Sequence, residues 1–205
     1  MEISDDIILE LERFGSQSSK RLLVAVAGAP ASGKTTLAHD LANRIPNCAC
    51  VSMDGFHLDN PILKHMNLSE RKGSPETFDL DGFIALIKRL KEPSDVYVPV
   101  FDRLTERTIN SASLIPGSAK IIVVEGNYLL LNEPGWEALQ SLWDFTIFLE
   151  TDLATIEQRL LDRWLSHGYT HDAAHAKISL NDLPNAKRIL GHLVPADLVI
   201  KTDCA

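Results

Sequence analysis

The segment Gly28–Thr35 reads Gly-Ala-Pro-Ala-Ser-Gly-Lys-Thr and matches the pattern G-x-x-x-x-G-K-[ST] at every fixed position. It directly follows the apolar run Leu22–Ala27 and opens a predicted helix over Lys34–Arg44, which is the strand–loop–helix context that this pattern requires. Glycines let successive backbone N–H groups point at one anion, and the helix N-terminus adds a partial positive charge. The pattern therefore predicts a phosphate-binding P-loop. A dinucleotide fingerprint, G-x-G-x-x-G, is excluded because position 30 is Pro30.

Two side chains of this loop have specific predicted roles toward ATP and Mg²⁺. Lys34 is expected to reach the β- and γ-phosphates, and the Thr35 hydroxyl is expected to ligate magnesium. The full set of predicted nucleotide contacts in the loop is Gly28, Ala29, Pro30, Ala31, Ser32, Gly33, Lys34, Thr35 and Thr36.

Apolar strands alternate with amphipathic helices along the rest of the chain. Strands are predicted at Leu22–Ala27, Cys48–Met53, Val96–Phe101, Ile121–Val124, Phe145–Leu149 and Leu198–Ile200. Helices are predicted at Asp5–Phe14, Lys34–Arg44, Asp79–Lys91, Trp136–Leu142 and Asp152–Ser166. This alternation predicts an α/β protein with a parallel sheet of about five strands and helices on both faces. Together with the phosphate-binding motif, it leads us to expect the three-layer P-loop NTPase fold with a short helical lid. Turns are predicted at Pro184 and Pro195. The polar stretch Leu58–Glu76 is expected to form part of the pocket for a second substrate, the acceptor of the phosphoryl group.

The length of 205 residues fits a single domain over residues 1–205, with the lid at roughly 159–180. The formal net charge of −8 argues against a nucleic-acid surface. The sequence lacks an apolar stretch of about 18 residues, and its acidic N-terminus differs from a secretory signal, so neither a membrane partner nor export is expected. Three cysteines, Cys48, Cys50 and Cys204, show no disulfide spacing, which favours a cytoplasmic protein. Cys48 and Cys50 lie in a predicted strand and are interpreted as packed thiols.

Two acids follow predicted strands at the edge where open α/β sheets bind ligands, beyond the carboxyl ends of the strands. Asp54 follows the strand Cys48–Met53, and Glu125 follows the strand Ile121–Val124. Phosphoryl transfer to an alcohol needs a carboxylate near the acceptor hydroxyl and a second acid for magnesium or its waters. Asp54 is the candidate base, and Glu125 is the candidate for orienting the magnesium shell or the acceptor. These two roles could be exchanged.

A pair of arginines, Arg159 and Arg163, is four residues apart on a predicted helix and is expected to share one face. Cations over the transferring phosphoryl group neutralise its charge, so the pair is the candidate for a basic lid. The histidines His167, His171 and His175 also recur every four residues, which could indicate zinc. An exposed lid segment is the preferred interpretation, because Gly168 interrupts the first turn.

Several stretches occur in an order that resembles the uridine kinase, phosphoribulokinase and bacterial pantothenate kinase family. They are GAPASGKTT, MDGFH from Met53, RKGSPETFD from Arg71, VPVFDR from Val98, VVEGNYLLL from Val123, RLLDRW from Arg159 and NDLPNA from Asn181. Within that family the chain is most similar to the compact proteins labelled fructose transport system kinases or uridine kinase-like proteins.

The resemblance implies roles for particular positions. It implies that Asp54 is the catalytic aspartate, that Arg159 and Arg163 are lid arginines, and that Asn185 lies near the adenine. It also implies an acceptor pocket built by His57, Arg71, Tyr97, Phe101, Asp102 and Arg103.

The leading hypothesis is an ATP- and magnesium-dependent kinase that phosphorylates an alcohol group of a small metabolite, such as fructose or another sugar or polyol. A pantothenate- or nucleoside-type acceptor is the alternative within the family, and Arg71, Lys72, Arg103 and Arg107 also permit an anionic acceptor. A GTPase-like switch, a non-catalytic nucleotide-binding regulator and a nucleoside monophosphate kinase are less favoured. The apolar face of the first predicted helix could pack on its own sheet or form a homodimer.

Overall fold

The computed structural model describes residues 4–17 and 20–202. The helices within these ranges are α1 (Asp5–Gln17), α2 (Lys34–Arg44), α3 (Asn60–His65), α4 (Leu80–Leu90), α5 (Leu153–Ser166), α6 (His171–Lys177) and α7 (Leu183–Gly191). The strands are β1 (Leu22–Gly28), β2 (Cys48–Ser52), β3 (Val96–Asp102), β4 (Arg107–Ile115), β5 (Ile121–Gly126), β6 (Phe145–Glu150) and β7 (Leu198–Lys201). Short 3₁₀ turns occupy Met53–Phe56, Ser69–Arg71, Pro75–Thr77 and Trp136–Leu142, and a π-helical turn occupies Ile178–Asp182.

Five strands form a parallel sheet in the order β2-β5-β1-β6-β7. The two central strands β1 and β5 are buried along their whole length, as their continuous apolar sequences require. Their register pairs Ala27 with Gly126, which brings the start of the P-loop beside the end of β5. The predicted α/β fold with a five-stranded parallel sheet is confirmed.

Alternate residues of β1 pack on opposite faces of the sheet. Leu23 and Ala25 belong to an apolar cluster with α4 and part of α7, whereas Val24 and Val26 belong to a second cluster with α1 and α2. Cys48 and Cys50 pack half-buried against the second cluster, and burial raises the pKa of each thiol to about 12. Cys204 lies outside the described residues. The outcome is three layers, with helices on each side of the sheet.

The predicted helices over Asp79–Lys91 and Asp152–Ser166 each begin one residue later than expected. Asp79 caps α4 by accepting a hydrogen bond from the Gly82 backbone N–H at 3.0 Å. Asp152 caps α5 in the same manner, accepting from the Thr155 N–H at 2.9 Å. Each aspartate is an N-cap: its side chain accepts a hydrogen bond from a backbone N–H of the first turn that has no carbonyl partner within the helix. The helix therefore begins at the next residue.

The predicted strand at Val96–Phe101 forms, but outside the main sheet. β3 pairs antiparallel with β4 in a separate two-stranded hairpin, in which Val96 lies opposite Ile115 and Asp102 opposite Arg107. The sequence analysis missed β4 because most of its residues are exposed and it lacks the apolar pattern of a buried strand. The pairing shifts register between Val98 and Val100, so that Pro99 sits at the irregularity, where the missing N–H is tolerated.

The C-terminal helices form an almost continuous rod from α6 through the π-helical turn into α7. The prediction of a turn at Pro184 is wrong, because Pro184 lies in the first turn of α7. The hydrogen-bond pattern is irregular just before it, since the Leu183 N–H bonds to the Ile178 carbonyl five residues back. A proline within a helix is often found beside an irregularity of this kind. Pro195 does lie in the loop between α7 and β7. The polar stretch Leu58–Glu76 contains α3, the 3₁₀ turn Ser69–Arg71 and the start of the turn Pro75–Thr77.

A buried arginine binds several loops near the amino-terminal ends of the parallel strands. Arg21 is 3% exposed and precedes β1. Its guanidinium donates to four backbone carbonyls, at 3.1 Å to Ala119, 3.4 Å to Leu90, 2.8 Å to Ser94 and 2.6 Å to Pro116. Burial lowers the pKa of Arg21 from its usual value. The side chain therefore holds the end of α4 and the loop before β5 against the sheet.

Among the described helices, each is too short or too polar to cross a bilayer.

Candidate active site

A cavity of about 770 Å³ opens at the carboxyl ends of the parallel strands. The P-loop, the turn after β2, the end of β5, the tip of the β3–β4 hairpin and the helices α5–α7 all contribute to its walls. The predicted site residues that line it are Pro30, Ala31, Gly33, Lys34, Thr35, Thr36, Asp54, His57, Phe101, Arg103, Glu125, Arg163 and Asn185. The structure thus brings most of the predicted residues into one cavity.

The loop between β1 and α2 has the curled backbone that its sequence predicts. Ala31 and Gly33 have positive φ angles of 61° and 100°, and the Ser32 N–H donates to the Ala29 carbonyl at 3.2 Å. A Cβ atom at Gly28 would lie 2.6 Å from Ser32 Oγ, so only glycine fits where the loop leaves the strand. Gly28, Ala29 and Ser32 form the frame of the loop rather than the cavity wall.

Lys34 lies at the first position of α2 with its ammonium buried inside this loop. Its Nζ donates to the Ala29 carbonyl at 2.7 Å. Burial lowers the pKa of Lys34 to about 8, although the carboxylates of Glu125 and Asp54 oppose the shift. A buried cation beside a helix N-terminus and a curled loop fits a phosphate group, because an anion would compensate the lost hydration of the ammonium.

Glu125 is buried near the end of β5 and faces Lys34 and Thr35. Ser52 Oγ donates to Glu125 Oε1 at 2.5 Å across the β2–β5 pair. Burial is the main reason that the pKa of Glu125 is raised, and the charge of Asp54 adds to it, while Lys34 and the hydroxyls of Ser52 and Thr35 act in the opposite direction. Carboxylate and hydroxyl oxygens are ligands that magnesium prefers, so Glu125 and Thr35 fit an Mg²⁺ site.

Asp54 lies in the 3₁₀ turn directly after β2, and Ser52 holds that turn. The Ser52 hydroxyl accepts the Asp54 N–H at 3.2 Å while it donates to Glu125, so one side chain links the backbone of the first acid to the carboxylate of the second. The sequence analysis did not identify Ser52, although a serine at a strand end before a turn is a common capping signal.

The hairpin brings an arginine to Asp54. Arg103 Nη2 lies 2.9 Å from Asp54 Oδ2, and the two side chains are 52% and 25% exposed. The turn and the hairpin are in close contact, because a Cβ at Gly55 would lie 2.6 Å from the Pro99 carbonyl oxygen. An ion pair this exposed contributes little stability, so it can separate when a ligand competes for the carboxylate.

His57 is packed between two aromatic rings. Its ring centroid lies 4.2 Å from that of Phe78 and 4.7 Å from that of Phe101, and Nδ1 is 2.8 Å from the Asp54 carbonyl oxygen. Burial is the main cause of a lowered pKa for His57. The imidazole is therefore held in its neutral form as part of the wall beside Asp54.

The variant His57→Gln is expected to lose less stability in acid than the natural chain. Because the pKa of folded His57 lies below its ordinary value of 6.5, the unfolded chain binds the proton more tightly, and stability is lost as the pH falls below that value. Urea unfolding at several values from about pH 7 to about pH 5 measures how the free energy of unfolding changes with pH. The control His39→Gln, at an exposed residue of α2, should show the same pH dependence as the natural chain. An equal pH dependence in all three proteins would contradict the lowered pKa of His57.

Three other residues predicted to bind the acceptor lie outside the cavity wall. Arg71 is exposed in the turn Ser69–Arg71, and Tyr97 is 60% exposed on the hairpin. Asp102 accepts hydrogen bonds from the Leu104 N–H at 2.9 Å and the Thr105 hydroxyl at 2.7 Å, so it closes the hairpin turn.

The two arginines of α5 diverge. Arg163 lines the cavity and lies over the Trp164 ring, 5.7 Å from its centroid. Arg159 instead donates to the carbonyls of Ala31 at 3.4 Å and Thr202 at 3.2 Å, which ties α5 to the P-loop and to the end of the sheet. The histidines also separate, since His167 ends α5 whereas His171 and His175 lie on α6 with ring centroids 6.5 Å apart.

Comparison with known proteins decides the family. The profile of the phosphoribulokinase / uridine kinase family matches residues 23–202. The chain belongs to this family. A solved structure from Silicibacter sp. TM1040, provisionally named a fructose transport system kinase, superposes with a TM-score of 0.89 at 41% identity and covers 97% of this chain and 100% of that one.

Two curated relatives extend the similarity across most of the chain. The uncharacterized protein YggC of Escherichia coli is 32% identical over 89% of this chain and 78% of its own length. A provisionally assigned uridine kinase, C227.14 of Schizosaccharomyces pombe, is 30% identical over 89% of this chain and 83% of its own length. The protein is therefore a small-molecule P-loop kinase, and the names of its relatives differ in their substrates.

In this kinase the C-terminal helices supply cavity residues that sequence reasoning missed. Trp164 donates through Nε1 to Asp182 Oδ2 at 2.7 Å, and Lys177 Nζ lies 4.8 Å from the Trp164 ring centroid and 5.7 Å from that of Tyr169. Asn181 also lines the cavity, from the π-helical turn. The sequence analysis did select the stretch NDLPNA, which contains Asn181, but Pro184 led it to predict a turn there instead of a helix.

Proposed function

We propose that this kinase transfers the γ-phosphoryl group of ATP, with magnesium, to an alcohol group of a small neutral polyhydroxylated metabolite, and that a sugar such as fructose is the acceptor. The observation that carries the proposal is that the carboxylate of Asp54 shares one cavity with Lys34 and Thr35 of the P-loop. A carboxylate in this place suits an alcohol acceptor, because an alcohol must lose its proton during transfer.

The nucleotide half of the proposal rests on the curled loop and the buried charges behind it. Lys34 would bind the phosphates once released from the Ala29 carbonyl, and Thr35 with Glu125 would hold magnesium. ATP supplies the transferable group, and magnesium neutralises charge on its phosphates. Burial of Lys34 and Glu125 strengthens their interactions with the bound nucleotide, since the surroundings exclude water.

Asp54 would accept the proton of the attacking hydroxyl. Its partner in the structure, Arg103, is more than half exposed, so the carboxylate can exchange this ion pair for the acceptor hydroxyl. His57 is held neutral beside it and contributes a flat wall together with Phe101. Flat aromatic walls suit the apolar faces of sugar rings as well as other small molecules.

The charges around Asp54 favour a neutral acceptor. Arg103 is paired with Asp54, and Lys72 Nζ lies 3.1 Å from Glu106 Oε2 and donates to Asn60 Oδ1 at 2.8 Å. An anionic acceptor would have to compete with Glu106 for Lys72, and it would place a second negative charge in the cavity that holds the Asp54 carboxylate. The name of the Silicibacter relative also supports a sugar, at 41% identity over nearly the whole chain.

The segment 159–180 is proposed as the lid of a single domain. Arg163 would cover the transferring phosphoryl group and help exclude water. Arg159 would position α5 through its hydrogen bonds to the P-loop and β7 rather than contact the phosphates. The apolar contacts of Ile156 and Leu160 with Ala29 would transmit lid position to the loop.

A screen of alcohols tests the proposed function. Purified protein with Mg·ATP is assayed for ADP release against fructose, other hexoses, pentoses, polyols, glycerate, pantothenate and nucleosides. We expect turnover above the acceptor-free background with a neutral sugar or polyol, and weak or background turnover with glycerate. Lys34→Met is the matched control for contaminating kinases, because removal of the phosphate-binding cation should abolish the signal.

The outcomes separate the alternatives. Turnover restricted to pantothenate or a nucleoside would retain the kinase chemistry and overturn the sugar assignment. Tight ATP binding without acceptor-dependent turnover would instead favour a nucleotide-binding regulator.

A further inference from the structure

Two buried asparagines lie on one face of the C-terminal rod and line the cavity. Asn181 and Asn185 are 6% and 2% exposed, and they are separated by four residues. Asn181 belongs to the π-helical turn, and Asn185 to the first turns of α7. Such turns often occur at functional sites because the extra residue changes the direction of neighbouring side chains.

A backbone carbonyl fixes the orientation of both amides. Asn181 Nδ2 donates to the Lys72 carbonyl at 2.9 Å, and Asn185 Nδ2 donates to Asn181 Oδ1 at 3.2 Å. Because a carbonyl can only accept, the Asn181 amide must turn its nitrogen to Lys72 and its oxygen to Asn185. Asn185 must then turn its own oxygen away from Asn181.

This arrangement leaves Asn185 Oδ1 as a buried acceptor without a hydrogen-bond partner among residues 4–17 and 20–202. A buried polar atom in this state is costly, and folded proteins rarely retain one without a reason. Asn185 lines the cavity, but its Oδ1 is itself covered, so a bound molecule reaches this atom and supplies the missing donor only after a small local shift of the side chains around it. That donor must be an O–H or N–H group, because a carboxylate or phosphate oxygen carries no proton for it.

The hydrogen-bonded chain from Asn185 through Asn181 to the Lys72 carbonyl lies on the acceptor side of the cavity. Lys72 places its Nζ 5.2 Å from the centroid of Phe101, in the wall beside Asp54. One turn beyond Asn185, Arg188 bonds to Glu76 Oε1 at 2.5 Å and to Glu133 Oε1 at 2.8 Å. The contact with Glu76 holds α7 against the segment that carries Lys72.

We propose that Asn185 is a specificity-determining residue of the acceptor subsite, whose Oδ1 accepts a hydrogen bond from a hydroxyl group of the phosphorylated metabolite. The proposal rests on the proposed function, since it assumes an alcohol acceptor. It differs from the sequence-based expectation that Asn185 lies near the adenine. Asn181 acts as a positioning residue, because it orients Asn185 through the Lys72 carbonyl.

The test compares the two substrates of the reaction in the variant Asn185→Ala. With the best acceptor from the panel of sugars, polyols, glycerate, pantothenate and nucleosides, kcat/KM should fall about tenfold or more, with the KM for ATP nearly unchanged. Lys187→Ala is the matched control, because Lys187 is exposed on the same helix. Far-ultraviolet circular dichroism and thermal unfolding establish that each variant is folded.

Deoxygenated acceptors provide a second readout that a purely structural role would not move. Among deoxy analogues of the best acceptor, one should be poor for the natural chain yet lose no further activity in Asn185→Ala, because the hydroxyl that binds Oδ1 is already absent. Equal losses for every analogue would overturn the proposal.

The results distinguish failure of this inference from failure of the proposed function. A raised KM for ATP with an unchanged KM for the acceptor would place Asn185 at the nucleotide and overturn the inference, whichever alcohol is phosphorylated. If a nucleoside or pantothenate is the best acceptor and its kcat/KM falls in Asn185→Ala, the sugar assignment fails and the inference stands. If no panel compound is phosphorylated, the proposed function fails, and calorimetry with Mg·ATP tests the inference separately: weakened binding in Asn185→Ala places the residue at the nucleotide and overturns the inference, and unchanged binding keeps Asn185 away from the nucleotide, as the inference requires.

Discussion

Replacement of Asp54 by asparagine is expected to lower the turnover number about a thousandfold while ATP binding changes little. The amide keeps the size of the side chain and its place in the turn after β2, but it cannot accept the hydroxyl proton. Nucleotide affinity should persist because Lys34 and Thr35 of the P-loop are unaltered. Steady-state ADP release with the best acceptor and calorimetry with Mg·ATP measure the two effects separately.

The exposed Asp81 on α4 provides the matched control, and Asp81→Asn should retain normal turnover. Turnover in Asp54→Asn within a few-fold of the natural chain would contradict the assignment of Asp54 as the base. Glu125→Gln would then become the variant of interest, since the two acids share the cavity and their roles could be exchanged.

The largest expected effect on stability comes from Arg21, far from the cavity. Arg21→Ala should lower the free energy of unfolding by about 3 kcal/mol or more, because it leaves several buried carbonyls without their donor. These include the carbonyls of Leu90, at the end of α4, and Ala119, before β5. Urea denaturation monitored by tryptophan fluorescence measures the change.

Two further variants test whether the lost stability comes from the hydrogen bonds of the Arg21 guanidinium. Arg21→Lys keeps the charge but replaces the planar guanidinium by a single ammonium, so it should recover only part of the loss. Arg89→Ala removes an exposed arginine next to the same helix end and should cost little. Similar losses in Arg21→Ala and Arg89→Ala would show that the carbonyl contacts contribute less than their geometry suggests.

The sequence predicted those parts of the molecule whose physics is local. The strand before Gly28 is apolar throughout, and the loop has glycine where a side chain would clash. Asp54 follows β2 and Glu125 lies near the end of β5, and these strand ends meet at one edge. Each of these inferences needs only neighbouring residues and the rule that parallel strands end together. The central sheet and the clustering of Lys34, Thr35 and the two acids therefore followed from the sequence.

The remaining features depend on contacts between distant segments. β4 is held by its pairing with β3 and has no apolar face of its own, so its sequence resembles a loop. Four-residue spacing placed Arg159 and Arg163 on one face, but Ala31 and Thr202 capture the first guanidinium. These contacts depend on the tertiary structure, and the spacing of residues along the chain does not predict them.

The separation of the two sheets has a consequence for how such an enzyme can change. The P-loop, Glu125 and the turn of Asp54 belong to the five-stranded sheet and its connections, whereas Arg103 and Phe101 belong to a hairpin with its own strand pairing. Substitutions at the hairpin tip would alter the proposed acceptor wall while the register and burial of the central strands stay as they are. Adaptation to a new metabolite can therefore proceed at one end of the cavity without rebuilding the part of the molecule on which folding and nucleotide use depend.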